Sequence, residues 1–124
     1  MDLSRAGETM VVDDSNSGTC ALTARQAIRL ARQQSGQRSP FTLVIGKEEG
    51  AICDGFPAED VITVIRLDSP DRVVLVGKDY YPQIPSLLKH TIRFSCCNTL
   101  AEGRDIALRE AGGGMVVLAV KTWR

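Results

Sequence analysis

Met10-Val11-Val12-Asp13-Asp14-Ser15-Asn16-Ser17-Gly18-Thr19 decides the architecture of this chain. An apolar run of three ends abruptly in two acids and a string of small polar residues. That is a strand running into a turn, with Gly18 free to take positive φ and Ser17 or Thr19 able to cap a helix. From Ala21 the spacing changes to a helical one. Leu22, Ala27, Ile28, Leu30 and Ala31 fall broadly on one side, and Arg25, Arg29, Arg32 and Gln33 reach solvent. Ser35-Gly36 ends the helix. A strand, a polar turn and a helix in this order place the acids at the carboxyl end of a strand. In an open α/β sheet that is where ligands bind.

The same alternation continues outward. Phe41-Thr42-Leu43-Val44-Ile45 is nearly continuous and apolar, as a strand covered on both faces should be. Residues Gly46 to Pro57 read as loop-rich. Val61 to Leu67 is ambiguous: Ala58-Glu59-Asp60 can open a short helix, but Val61-Ile62-Thr63-Val64-Ile65 favours an extended chain. Val73-Val74-Leu75-Val76-Gly77 is a strand. A helix is expected over Pro82–Lys89, with Pro85 tolerable only within the first turn. Ile92–Cys96 is a short strand. Asn98 or Thr99 caps the next helix, with Glu102 placed as in a capping box; it stops at Gly112-Gly113-Gly114. Met115–Val120 is the last strand. The expected fold is α/β: a Rossmann-like three-layer sandwich with a mostly parallel five- or six-stranded sheet and helices on both faces. Residues 1–124 read as one domain, with Met1 to Gly7 as a frayed lead-in.

Composition narrows the function. Of 124 residues, 44% are hydrophobic, enough for a sizeable core. Lys plus Arg and Asp plus Glu each number 15. This balance speaks against a general binder of nucleic acid or membrane surfaces. No apolar run approaches the roughly 20 residues that span a bilayer, and the amino terminus lacks the apolar core of a secretory signal. The chain reads as soluble and cytoplasmic. Cys20, Cys53, Cys96 and Cys97 form no Cys-x-x-Cys pair, and the one histidine, His90, has no partner at ligand spacing. No metal site of the protein's own is expected. The cysteines read as reduced thiols.

Gly46-Lys47 and Gly77-Lys78 are followed by Glu48 and Asp79, so neither is a P-loop. Gly-x-Gly-x-x-Gly after a strand and Gly-x-Ser-x-Gly are also missing. A self-contained nucleotide hydrolase or a Ser-His-Asp enzyme is poorly supported. At the turn, Asp13 or Asp14 suits ribose hydroxyls or a hydrated Mg²⁺, and the helix amino terminus favours anions. The competing reading is a capped turn whose acids only hold the loop together. Lys47, Glu48 and Glu49 read as a solvated loop. Tyr80-Tyr81-Pro82 reads as a surface turn, His90 as an exposed helix end, and Trp123 as either packing or substrate contact.

The order of these pieces, across nearly the whole chain, resembles the carboxy-terminal domain of the Mur ligases. The resemblance rests on Val11 to Arg32, Leu43-Val44-Ile45-Gly46, Val73 to Asp79, Thr99-Leu100-Ala101-Glu102 and Met115 to Val120. Gly7-Glu8-Thr9-Met10 resembles the strand by which that domain is entered. The family uses ATP and Mg²⁺ to phosphorylate a carboxylate, and an incoming nucleophile displaces the phosphate. Its P-loop lies in a central domain, over which the carboxy-terminal domain closes. The resemblance implies that Asp14, Ser15, Asn16 and Ser17 contact nucleotide, with Asn16 where some members place a Lys or Asn by the phosphates. It implies that Lys121 and Thr122 contact substrate. It also implies that this chain has no catalytic residue of its own, and that a central domain or partner chain supplies the P-loop. Its substrate would be a small-molecule carboxylate.

The chain departs from the family in two places. His-x-Pro and Asn-Pro endings are replaced by Ser17-Gly18-Thr19, and the last strand lacks Ser-Pro-Ala. Both turn the reading away from peptidoglycan-type peptide ligation. The Asp14-Ser15-Asn16-Ser17-Gly18 form is similar to a methanogen branch, which includes the synthetase that activates a side-chain carboxylate of a nickel tetrapyrrole and closes a carbocyclic ring to give coenzyme F430. Other readings stay open, among them a free-standing regulatory domain that binds no nucleotide. The Asp13 to Thr19 string is similar to the ribose-phosphate loop of phosphoribosyltransferases. Cys97-Asn98-Thr99-Leu100 resembles small α/β sulfur-relay subunits, in which Cys97 would be an activated thiol.

Overall fold

The computed structural model describes residues 1–35, 40–49, 56–78, 80–81, 83–88, 92–111 and 114–122. Ten elements follow in chain order: β1 (Asp2–Ala6), β2 (Thr9–Asp13), α1 (Ala21–Ser35), β3 (Phe41–Lys47), α2 (Ala58–Asp68), β4 (Arg72–Val76), α3 (Gln83–Leu87), β5 (Arg93–Cys97), α4 (Leu100–Ala111) and β6 (Met115–Lys121). The six strands form one sheet in the order β1-β2-β6-β3-β4-β5. Only the β1–β2 pair is antiparallel. This is the expected mostly parallel α/β sandwich, with six strands.

Side chains alternate across the sheet and build two cores. Met10, Val12, Leu43, Ile45, Val73, Leu75, Val117 and Ala119 face α1, α2 and Ile84 of α3. Val11, Val44, Val74, Val76, Val116, Leu118 and Val120 face Ala107 of α4. The inner strands are buried on both faces, which explains why β3 and β6 read as unbroken apolar runs. On α1 the buried residues are Ala24, Ala27, Ile28 and Ala31, while Leu22 is exposed. Small residues on this face let the helix lie close to the sheet. Gly103 does the same on α4: a Cβ there would fall 2.8 Å from Cγ1 of Val44.

One ambiguity is resolved and two expectations are corrected. Residues 61–67 are helical, as α2. Val61, Val64 and Ile65 are its buried face, Glu59 and Asp60 sit in its first turn and Arg66 in its last. The i, i+3, i+4 burial and end charges outweigh the β-preference of Val and Ile, which is a preference for half-buried surfaces. Met1 to Gly7 is not a frayed lead-in, because Asp2 to Ala6 pair with Asp13 to Thr9 as edge strand β1. Its backbone bonds to β2 order it despite its exposed side chains. Gly46 and Lys47 belong to β3 rather than to a loop. Gly46 has φ +144°, and a Cβ there would run into the Val76 carbonyl. The expected helix around Pro85 is present over Gln83–Leu87; Pro82, Lys89 and His90 lie outside the described residues, as do Cys53, Asp79, Gly112, Gly113 and Trp123.

Candidate functional site

The carboxyl end of β2 meets the carboxyl end of β6, because the two strands run parallel in register from Met10↔Met115 to Asp13↔Leu118. Asp14 extends the ladder by donating its N–H to the Leu118 carbonyl at 2.8 Å. Ser15 adds one more rung with its side chain, its Oγ accepting the Val120 N–H at 3.0 Å. The loop then folds on itself. The Thr19 hydroxyl donates to the Asp14 carbonyl and accepts the Asn16 N–H at 2.9 Å. Asn16 Oδ1 accepts the Gly18 N–H at 2.7 Å, and the Asn16 carbonyl accepts from both Thr19 and Thr122. Asp13 Oδ1 takes the Ser15 N–H at 2.8 Å.

This accounts for every small polar residue that sequence reading singled out except two. Ser17 is half-buried and takes no part in the network. Asp14 is the other. It is 6% exposed, and its Oδ2 is buried without a hydrogen-bond partner among the described residues. A buried carboxylate oxygen with no donor is costly. The loop's own hydrogen bonds use Asp14 only through its backbone, so holding the loop does not explain the carboxylate.

Lys121 closes β6 on the same edge. It is 8% exposed, and its Nζ donates to the Thr19 carbonyl at 3.3 Å. No carboxylate lies within ion-pair distance of it among the described residues. Thr122 is half-buried, tied by its N–H to Asn16. The structure thus brings Asp14, Ser15, Asn16, Lys121 and Thr122 together, and it separates a carboxylate in need of a donor from an ammonium in need of an anion.

Neither Ser17 nor Thr19 caps α1. Cys20 precedes the helix and accepts the first helical bond from Ala24, while Thr23 Oγ1 accepts the Cys20 N–H at 3.0 Å. The Thr23 backbone N–H, helped by the Lys121 charge, pulls the exposed Cys20 thiol below its ordinary range. Lys47 and Glu48, read as solvated, are half-buried. Glu48 Oε2 accepts the Leu100 N–H at 2.8 Å, placing a carboxylate at the amino end of α4. Thr99 caps that helix, its Oγ1 accepting the Glu102 N–H at 3.1 Å. Tyr80 is buried, its hydroxyl donating to the Phe56 carbonyl at 2.6 Å. Tyr81 is exposed and lines a cavity of about 280 Å³ with Gly77, Lys78, Cys96, Cys97 and Asn98. In that cavity burial, and then Glu102, push the Cys97 thiol up to about 11. A thiol held protonated is a poor nucleophile, which counts against the sulfur-relay reading.

No helix among the described residues is long and apolar enough to cross a membrane. No curated protein sequence matches the chain. Among solved structures it is similar to a domain described as coming from a UDP-N-acetylmuramate:L-alanyl-γ-D-glutamyl-meso-diaminopimelate ligase of Haemophilus ducreyi 35000HP. That match has a TM-score of 0.64 at 12% identity and covers 99% of this chain and 87% of the other. At that identity the likeness is one of fold, a Mur ligase carboxy-terminal fold. The family profile for the coenzyme F430 synthetase CfbE C-terminal domain matches residues 3–122. By that match, which takes in both β2 with its acidic turn and β6 with Lys121, the chain belongs to the CfbE C-terminal domain family.

Proposed function

We propose that this domain closes the nucleotide and substrate site of an ATP-dependent ligase that activates a carboxylate as an acyl phosphate. The observation that carries the reading is the buried Asp14 Oδ2, without a donor among the described residues, at the ligand-binding end of the sheet. A ribose hydroxyl or a water on Mg²⁺ would donate to the accessible edge of the Asp14 carboxylate, which is the support for ATP and Mg²⁺ as its ligands. Mg²⁺ would neutralise phosphate charge during transfer. Asn16, exposed at the tip of the turn, faces solvent where phosphates would approach.

Lys121 serves the other half of the reaction. Its ammonium is placed to hold the substrate carboxylate or an acyl-phosphate oxygen, with Thr122 beside it. The γ-phosphoryl group passes from ATP to the carboxylate oxygen, releasing ADP. A nucleophile then attacks the acyl carbon and expels phosphate. For a member of the F430 synthetase family the carboxylate we assign is a side chain of a nickel tetrapyrrole, and the expelled phosphate leaves as the carbocyclic ring closes. The P-loop comes from a central domain or a partner chain, and the reading places the enzyme in methanogen metabolism.

Kinetics of the complete ligase test this. A charge-assisted hydrogen bond is worth about 1.5–3 kcal/mol, so Asp14→Ala should lower kcat/KM for ATP about ten-fold to a hundred-fold. Lys121→Met should raise KM for the carboxylate and leave ATP nearly untouched. Unaltered ATP kinetics in a folded Asp14→Ala enzyme refute the assignment.

A further inference from the structure

Lys121 is not alone on its face of the sheet. β3 and β6 are parallel neighbours, and Lys47 is the register partner of Lys121. Register partners in a sheet project to the same side, with strand spacing of roughly 5 Å. That side is the one carrying Leu43, Ile45, Val117 and Ala119 and covered by α1. Each lysine ends its strand, so the two ammonium groups continue an apolar column at the ligand-binding edge. Lys47 is half-buried, and neither it nor Lys121 has an ion pair among the described residues. Glu48, the carboxylate next to Lys47, is spent on the amino end of α4.

Like charges opposite one another on adjacent strands destabilise a sheet, and burying one of them without a counter-charge adds to the cost. The neighbouring strand supplies no counter-charge at this register. β4 is followed by Gly77 at φ +109°, where a Cβ would fall 2.6 Å from the Lys47 carbonyl oxygen. The position next to Lys47 therefore carries no side chain of its own, and the buried Tyr80 ring packs against it, 3.3 Å from where that Cβ would lie. The start of α1 lies on the same side, since Lys121 Nζ reaches Thr19, two residues before the helix. The amino end of the helix dipole adds partial positive charge there.

We infer that Lys47 and Lys121 form a two-lysine cradle for a doubly charged oxyanion, either a phosphoryl group or a pair of neighbouring carboxylates. The inference rests on the ligase reading for where that anion comes from: the acyl phosphate in the first case, a substrate with several carboxylates in the second. A single carboxylate satisfies one ammonium and leaves the other opposed. A dianion neutralises both. Lys47 is thus a binding residue that motif reading passes over, because only the β3–β6 register reveals it.

The test is a titration of the ¹⁵N-labelled 124-residue chain followed by amide chemical shifts. Sodium phosphate and propane-1,2,3-tricarboxylate are the two probes, at ionic strength held constant with NaCl. At least one probe should give saturable shifts at Thr19, Lys47 and Lys121. Losing one of two cationic partners should weaken binding about ten-fold in Lys47→Gln, and the charge-preserving Lys47→Arg should stay within about three-fold of the parent. Preference for phosphate assigns the cradle to the phosphoryl group, and preference for the tricarboxylate assigns it to the substrate. The inference is overturned if neither probe gives saturable shifts in the parent chain, or if Lys47→Gln binds as well as the parent. If the ligase reading fails instead, ATP kinetics ignore Asp14 while this titration stands.

Discussion

Replacing Asp14 with alanine should make the isolated domain more stable. The backbone of Asp14 carries its structural bonds: the N–H reaches Leu118 at 2.8 Å, and the carbonyl accepts from Thr19 and Asn16. Alanine keeps all of these. What it removes is a carboxylate whose Oδ2 is buried without a partner among the described residues. Leaving such a group unsatisfied costs about 1–3 kcal/mol. Part of the gain is lost to the small void that the shorter side chain leaves, so about 1 kcal/mol of net stabilisation is expected. For a domain of this size that is a rise in Tm of roughly 3–5 °C. Asp13→Ala is the matched control, because Asp13 Oδ1 does accept a bond, from the Ser15 N–H at 2.8 Å; it should lower stability by about 0.5–1.5 kcal/mol. Thermal and urea unfolding followed by circular dichroism reads both. A Tm for Asp14→Ala that falls as far as that of Asp13→Ala refutes the reasoning, since the carboxylate would then be holding the loop and not awaiting a ligand.

Three further outcomes follow from the structure. Thr19→Val removes a buried hydroxyl that both donates to Asp14 and accepts from Asn16, and should cost about 2 kcal/mol in urea unfolding. In alkylation by iodoacetamide near neutral pH, resolved by peptide mass, Cys20 should react well before Cys97. Its thiol is lowered, whereas that of Cys97 is raised from 9.0 to about 11. Between those two values the folded chain keeps the Cys97 proton that the unfolded chain has released, so stability should fall as pH rises from 9.0 to about 11. Cys97→Ser should flatten that fall.

The parts of the fold set by local pattern could be read from the sequence. β2, the acidic turn and α1 declare themselves because an apolar run, a glycine turn and a helical spacing follow one another. β3 and β6 do so because strands buried on both faces have little choice of residue. α2 could not be read from the sequence pattern alone, because Val61, Ile62, Val64 and Ile65 satisfy a strand and a helix alike. Only packing against α1 and the sheet decides between them. At the site, Asp14 and Lys121 stand out from their place at strand ends. The roles of Ser15, Lys47 and Glu48 were hidden for a common reason. Each depends on which strand or helix lies beside it: β6 for Ser15, β6 again for Lys47, and α4 for Glu48. Register across a crossover has no local signal.

The place of β6 in the sheet also fixes when the domain can form during synthesis. β2 and β3 are made early, yet neither pairs with the other; β6, made after both, lies between them. Until it emerges from the ribosome, the nascent chain holds β1–β2 and β3–β4–β5 as two separate groups of strands, each with an apolar edge exposed to the cell. A chain stopped before Met115 lacks both Lys121 and the strand that unites the two groups. Insertion of β6 thus completes the core and brings the two ends of the site together at the last strand made.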